Sequence, residues 1–365
     1  MSDPILPELG FYALPGHTDT PHDAVTEARD GESIGLGSAF VSERFNVKDA
    51  GVLSGAIGAV TEHLGIATAA TNHNTRHLLA TATMATTMHR LTGGRFALGL
   101  GRGFDFLFDV INLPRITNAQ IEDAVGVYRR LWHGEVVMGH DGPAGKYTVL
   151  HQDARFSEDI PVILCALAER TLERAGGYVD GVVLHTYFTD DTLARSVAAV
   201  RRGAEQAGRD PASVRVWSVL GTVGDHIPYD LQLKKTVGRL STYLQGYGDL
   251  LVGVNHWDPD VLARFRADDV VASIPGAIDA IGTTEQLEHI ATLFPDEWMA
   301  AAAVGSPAVC AQRVLDQFTA GADSVVLHGA TPAELAPIVD AYRAVRPAGR
   351  AELPTNPGWM TAPAT

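Results

Sequence analysis

Seven consecutive residues, Thr71-Asn72-His73-Asn74-Thr75-Arg76-His77, follow the apolar run LGIATAA (64–70) with no turn residue between. Hydroxyl and amide groups in such a row hold a ligand by hydrogen bonds. Imidazole, with an intrinsic pKa of about 6.5, moves protons near neutrality. The planar fork of a guanidinium suits a carboxylate or a phosphate, or a neighbouring acid of the protein itself. Four other apolar runs end in similar clusters: SERFN (42–46), with Glu43 and Arg44; GRGFD (101–105), with Gly101, Arg102 and Gly103; HTYF (185–188), with His185; and HG (328–329), with His328. Any one of these is ordinary helix-capping or loop chemistry. Five at the ends of five apolar runs imply one shared pocket.

The elements that must position these residues are legible from the apolar pattern. Eight short runs, at 9–14, 38–42, 64–70, 95–101, 161–166, 181–186, 214–221 and 323–329, are mostly continuous rather than alternating. That is the pattern of parallel strands buried on both faces. Helical spacing lies between them: 77–92, closed by Gly93-Gly94; 305–320, opened by Ser306 and Pro307; and 331–345, opened by Thr331 and Pro332. Eight strands with intervening helices predict a (β/α)8 TIM barrel, with a doubly wound open sheet as the alternative. In a barrel the strand C-termini form the active-site face, which is where the five clusters fall. Two segments break the rhythm. Residues 104–160 predict a helix over about 119–133 and a hairpin around HDGPAG, and residues 222–304 predict mainly helices. Both insertions are expected over the C-terminal face. The domain reading is one barrel over 1–348 and an irregular, Pro-rich tail over 349–365.

Composition narrows the function classes. The chain has 365 residues, 46% of them apolar, so a large core is within reach. A formal charge of −15 argues against a nucleic-acid partner and against an anionic membrane surface. Two cysteines far apart, Cys165 and Cys310, give neither a disulfide framework nor a metal-ligand spacing, so no metal is expected and a cytoplasmic location is. The N-terminal residues carry no signal-peptide pattern, and no apolar run has the length of a membrane span. No GxxxxGK[ST] phosphate loop is present, and GLGRGFD lacks the third glycine and following helix of a dinucleotide fingerprint.

FVSERFN, ATAATNHNTRHLLATATMATTMHRLTGGRFALGLGRG and PVILCALAERTLERAGGYVDGVVLHT together resemble the bacterial luciferase-like flavin/deazaflavin superfamily, and within it the coenzyme F420-dependent oxidoreductases. The resemblance covers residues 9–200, and 305–345 more loosely; the insertion at 222–304 matches nothing usable. It implies a (β/α)8 barrel with a planar ring in its mouth, and a non-prolyl cis bond matching Ala69-Ala70 behind that ring. Thr71, Asn72 and His73 would then reach the ring or its ribityl chain, and Arg76 a phosphate or carboxylate. The resemblance also implies a ring-contacting acid at Glu43, but Arg44 stands where relatives carry a histidine, so His73, His185 and His328 are the replacements to weigh. Gly101 and Gly103 would let the cofactor approach the backbone, with Arg102 on its acidic tail or on a surface acid. Ala168, Arg170 and Thr171 fall on the family's phosphate segment, where Glu169 opposes a phosphate unless it turns outward. Phe104 replaces the catalytic Glu of sugar-phosphate-oxidising relatives.

The resulting expectation is hydride transfer between F420 and an organic alcohol, ketone or activated alkene, with a homodimer as in many relatives. Phe104, Phe106, Phe108, Tyr187, Phe188 and Trp257 suggest a hydrophobic or cyclic substrate, or else core packing. The alternatives are a reduced-FMN-dependent monooxygenase of the same superfamily and a non-catalytic flavin-binding barrel.

Overall fold

All eight apolar runs become strands of one closed sheet. The computed structural model describes residues 4–17, 20–45, 47–153 and 155–361; Asn46 of the SERFN cluster and tail residues 362–365 lie outside the described residues. In chain order the strands are β1 (Leu6–Tyr12), β2 (Leu36–Val41), β3 (Gly65–Thr68), β4 (Phe96–Gly101), β5 (Val137–Gly142), β6 (Gly145–Leu150), β7 (Val162–Cys165), β8 (Gly181–Val183), β9 (Arg215–Gly224), β10 (Ala303–Gly305) and β11 (Ser324–His328). The ring runs β1-β2-β3-β4-β7-β8-β9-β11 and back to β1, each neighbouring pair parallel. This closure makes the fold a (β/α)8 barrel and removes the open doubly wound sheet.

The barrel interior is filled by Phe40, Ala67, Ala97, Ile163, Val183, Trp217 and Val326, one from each ring strand except β1. Strand β3 contributes small side chains, and β4 meets it with Gly99. A Cβ on Gly99 would lie 1.6 Å from the Thr68 carbonyl oxygen, so only glycine fits that approach. The helices outside begin where their caps place them. Ser306 accepts from the Val309 N–H ahead of Pro307–Thr319, and Thr331 forms a capping box with Glu334 ahead of Pro332–Val345.

The two excursions are built as helix plus hairpin and as a helical layer. The first holds a short helix Asp105–Val110, the helix Asn118–Trp132 and the antiparallel pair β5–β6. The second is shorter than the 222–304 read from sequence, because β9 runs on to Gly224 and β10 pairs with its end. It contains a π-helical turn, Lys234–Gly238, continuing into the helix Arg239–Asn255, whose regular geometry breaks at Tyr247 (φ −155°, ψ 37°).

The tail is irregular in conformation, yet it closes the N-terminal end of the barrel. The guanidinium of Arg215, fully buried, donates to the carbonyls of Pro354 (2.9 Å), Asn356 (3.0 Å), Trp359 (3.2 Å) and Pro7 (2.6 Å), and it lies over the Trp217 ring. Trp217 Nε1 donates to the Pro357 carbonyl at 2.8 Å, and the Asn356 amide donates to the carbonyls of Gly94 and Phe96. Removing the guanidinium orphans several buried carbonyls at once. Arg215→Ala is therefore expected to lose about 3 kcal/mol or more of stability in urea unfolding; a loss under about 0.5 kcal/mol would contradict the role given to the tail.

Candidate functional site

The strand C-termini form the opposite end, and their polar clusters build two unlike walls. On the β2–β3–β4 side the chain leaves β3 through a cis Ala69-Ala70 bond. It then touches β4 again at Thr71, whose N–H donates to the Gly99 carbonyl and whose carbonyl accepts from Gly101 N–H. Gly101 backs this segment so closely that a Cβ would lie 2.9 Å from the Ala70 Cβ. Gly103 has φ +66°, and a Cβ there would meet Phe108 at 2.8 Å. The wall thus consists of backbone and methyl groups.

Beside it the carboxylate of Glu43, 5% exposed, accepts from Thr71 Oγ1 (2.5 Å), Arg76 Nη1 (3.0 Å) and the Ala50 N–H (3.3 Å). Arg76 also grips Asp49 at 2.5 Å. Of the two partners open to Arg76 from sequence, the neighbouring acids hold it here. Asn72 donates to the Gly101 carbonyl at 2.7 Å. His73 is buried, which lowers its pKa, and its Nδ1 has no hydrogen-bond partner among the described residues.

The β8–β11 side carries the other two histidines. His185 Nδ1 lies 2.8 Å from the Thr186 carbonyl, and its Nε2 lies 2.8 Å from the Tyr247 hydroxyl. A carbonyl only accepts, so Nδ1 carries the proton and Nε2 accepts from Tyr247. Burial holds this imidazole neutral, with its pKa lowered to about 4. Tyr243 and Tyr247 both meet the His185 ring edge-on, and Tyr247 stacks on Phe104 from the β4 loop (centroids 4.6 Å, 13°). The insertion thereby bridges the mouth. His328 is buried against the edge of Tyr12 (5.1 Å) and lies 3.4 Å from Thr186 Oγ1; burial, then the charge of Arg239, lowers its pKa well below the usual value.

The remaining expected residues spread around the rim. Arg44 Nη1 donates to the Gly16 carbonyl at 2.7 Å. Arg102 donates to the Ile116 carbonyl and lies 3.5 Å from Asp105, a surface acid. Ala168 precedes the helix Glu169–Gly176 and gives it no side-chain cap. Glu169 turns outward to Arg202 (2.8 Å), Arg170 is exposed, and Thr171 accepts from Asn118 (3.0 Å). Of the aromatics read from sequence, Phe104 reaches the mouth. Phe108 and Tyr187 are core, Phe106 is 76% exposed, and Trp257 stacks on Trp298 within the insertion. A cleft of ≈ 440 Å³ lined by Glu43, Phe45, Lys48, Thr75 and Arg76 opens beside the β2 end. A larger one, ≈ 500 Å³, lies between the helix Asn118–Trp132 and the hairpin, and it contains none of the residues expected to act.

Sequence reading missed Tyr12, Lys48, Arg239, Tyr243 and Tyr247. The last three had a signal, because a spacing of four puts 239, 243 and 247 on one helical face. Among the described residues no helix is long and apolar enough to cross a membrane.

Comparison with known proteins fits this geometry. A family model described as luciferase-like monooxygenase matches residues 8–324. The chain is 28% identical over 193 residues to a 5,10-methylenetetrahydromethanopterin reductase of Methanolobus tindarius, covering 52% of this chain and 57% of that one. The chain therefore spans little more than half the length of this relative. A reductase of the same name from Methanopyrus kandleri is 25% identical over 340 residues, covering 87% and 91%. Among solved structures, a coenzyme F420-dependent tetrahydromethanopterin reductase from Methanopyrus kandleri superposes with a TM-score of 0.77 at 19% identity, covering 93% of this chain and 99% of that one. An F420-dependent secondary alcohol dehydrogenase bound to an F420-acetone adduct gives 0.68 at 18% identity, covering 93% and 99%. An FMN-bound Baeyer–Villiger monooxygenase of Pseudomonas putida gives 0.61 at 18%, covering 93% and 96%. At these identities the structural likenesses speak for the fold.

The His185 environment has a consequence for stability. Its folded pKa, about 4, lies below the ordinary 6.5, so between these values the unfolded chain binds a proton that the folded chain refuses. Stability is complete above pH 6.5 and falls as pH drops toward 4, by about 1.4 kcal/mol per pH unit from this residue. His185→Gln should flatten the urea-unfolding profile in that window relative to wild type; parallel profiles would refute the buried neutral imidazole.

Proposed function

The chain belongs to the luciferase-like monooxygenase family, and from that premise we propose that it is an oxidoreductase that uses coenzyme F420 to interconvert an organic alcohol and ketone, or to reduce an activated alkene. The observation that carries this reading is the pairing of the two walls. One is a surface of backbone and methyl groups at Ala69-Ala70 and Gly101, the other the neutral His185–Tyr247 pair under Phe104.

The residues fit such a cofactor. The cradle at Gly101 is one that a Cβ would fill, and His73 Nδ1 is a buried polar atom with no partner among the described residues. Ala69, Ala70 and Gly101 would back the ring, with Asn72 and His73 at its edge. The uncapped start of the helix Glu169–Gly176, with Arg170 and Thr171, would take the phosphate, since Glu169 is drawn away by Arg202. When bound, the deazaflavin accepts or returns a hydride at C5. The chain manages the proton. Tyr247 holds one on its phenol oxygen, directed at His185 Nε2, and that oxygen keeps lone-pair capacity for a substrate hydroxyl. In oxidation the substrate proton passes to Tyr247 oxygen as the Tyr247 proton moves to His185 Nε2; reduction runs the reverse. Phe104 and the insertion exclude water from the pair. Two structural neighbours named as F420-dependent enzymes support the cofactor, and relatives named as reductases support the reaction class.

An FMN-dependent monooxygenase is the second reading, favoured by the FMN-bound neighbour. Turnover separates the two: reduced F420 with a carbonyl and enone panel and oxidised F420 with an alcohol panel, against reduced FMN with oxygen. The proposal expects turnover with F420. Tyr247→Phe should lower kcat about 100-fold, in the range of general acid–base contributions, with KM changed less than about threefold. Turnover with FMN and oxygen alone would replace the proposal by the second reading, and an unchanged kcat in Tyr247→Phe would remove the proton role.

A further inference from the structure

The β1–β2 corner of the mouth holds more positive charge than the described acids beside it neutralise. Lys48, 7% exposed, donates to the carbonyls of Ala13 (3.2 Å) and Leu14 (3.1 Å). Arg44 donates to the Gly16 carbonyl, and neither Arg44 nor Lys48 forms an ion pair among the described residues. Arg239, 6% exposed, pairs with Asp279 through Nη1 at 2.8 Å, while its Nε has no partner among the described residues. Gly16 brings the two guanidiniums to one place. Its carbonyl accepts from Arg44, and a Cβ on it would lie 2.8 Å from Arg239 Nη2.

The acids nearby are already engaged. Asp279 accepts from Thr242 (2.8 Å) and lies 3.1 Å from His17 in addition to Arg239. Glu27 accepts from the Leu14 N–H at 2.6 Å, and burial raises its pKa to about 7, so it is only partly ionised near neutrality. Among the described residues, three cations therefore face one full and one partial negative charge, an imbalance that proteins seldom leave standing. Burial, then Arg44, brings Lys48 down to about 8, and burial, then Arg239, lowers Arg44.

We propose that Arg44, Lys48 and Arg239 form a subsite for an oxyanion, and that the group it takes is a carboxylate or phosphate of the substrate. This rests on the oxidoreductase reading above. Position argues for the substrate over the cofactor. The segment assigned to the cofactor phosphate follows β7, four strands round the ring from β1. The subsite instead adjoins the proton pair through one side chain. Arg239 lies 6.0 Å from the Tyr243 ring, and Tyr243 packs on both His185 (5.0 Å) and Tyr247 (5.5 Å). The matching substrate class is a hydroxy or oxo acid, or a phosphate counterpart, whose anionic group lies a few bonds from the carbinol or carbonyl carbon.

The test is calorimetric titration of the full chain with malonate, and with malonamide as the neutral isostere, both alone and in the presence of F420. Malonate should bind and malonamide should not. Arg44→Met and Arg239→Gln should each weaken malonate about tenfold or more, as truncating a buried charge does, while Arg239→Lys should stay within about threefold of wild type. If Arg239→Gln fails to fold, Arg44→Met decides, since among the described residues the Arg44 guanidinium pairs with the Gly16 carbonyl. Equal binding of the two probes, binding of neither, or unchanged affinity in the variants would overturn the subsite. Competition between malonate and F420, with both variants weakening F420, would assign the anion to the cofactor and overturn the substrate class. Absence of turnover with either cofactor while malonate binding persists would count against the oxidoreductase reading instead.

Discussion

The site depends on how closely β3 and β4 approach where β3 ends. The Thr68 hydroxyl donates to the Gly99 carbonyl and accepts from the Gly99 N–H, both at 2.8 Å, and glycine at 99 leaves room for the Thr68 carbonyl. This clasp lets the chain turn through Ala69-Ala70 and return to β4 at Thr71. It also brings Gly101 against Ala70, so the wall at this point is backbone and methyl groups. A larger residue at 99 or 101 would push the strands apart and leave a planar ring no flat surface. Glu43, Thr71 and Arg76 then brace the wall from the β2 side with buried, charge-assisted hydrogen bonds.

The two ends of the barrel handle buried positive charge differently. At the closed end Arg215 is satisfied by carbonyls of the tail and by Ser324. At the open end the described residues satisfy Arg44, Lys48 and Arg239 only in part. The first arrangement locks a structure, and the second leaves capacity for a ligand. The contrast is local, since the chain as a whole is strongly acidic at −15. A local cluster of cations in an acidic protein draws anions to one place while the rest of the surface repels them.

Much of this was legible in sequence where the signal is local. Each of the eight apolar runs became a ring strand, because burial on both faces leaves a continuous apolar run as its mark. Ser306-Pro307 and Thr331-Pro332 opened helices because cap chemistry is set within four residues. Partners supplied from a distance were not legible. His185 was a candidate from its place at a strand end, but Tyr247, which donates to its Nε2, is 62 residues away in the insertion. Arg76 pointed equally to a ligand or to an acid, and only the fold shows Glu43 and Asp49 beside it. The tail read as irregular because its order comes from Arg215 and Trp217 rather than from any pattern of its own. Trp257 was left open between pocket and core because hydrophobicity alone does not tell the two apart, and the fold places it in the core of the insertion.

The central claim is that a planar deazaflavin lies against the Ala69-Ala70 and Gly101 wall. The most direct measurement is a fluorescence titration of F420 against wild type and Gly101→Val, with urea unfolding of both to confirm that the variant folds. The account predicts that wild type binds and that the folded variant loses about tenfold or more in affinity, because the added side chain enters the 2.9 Å gap to Ala70. A folded Gly101→Val that binds F420 as tightly as wild type would contradict it.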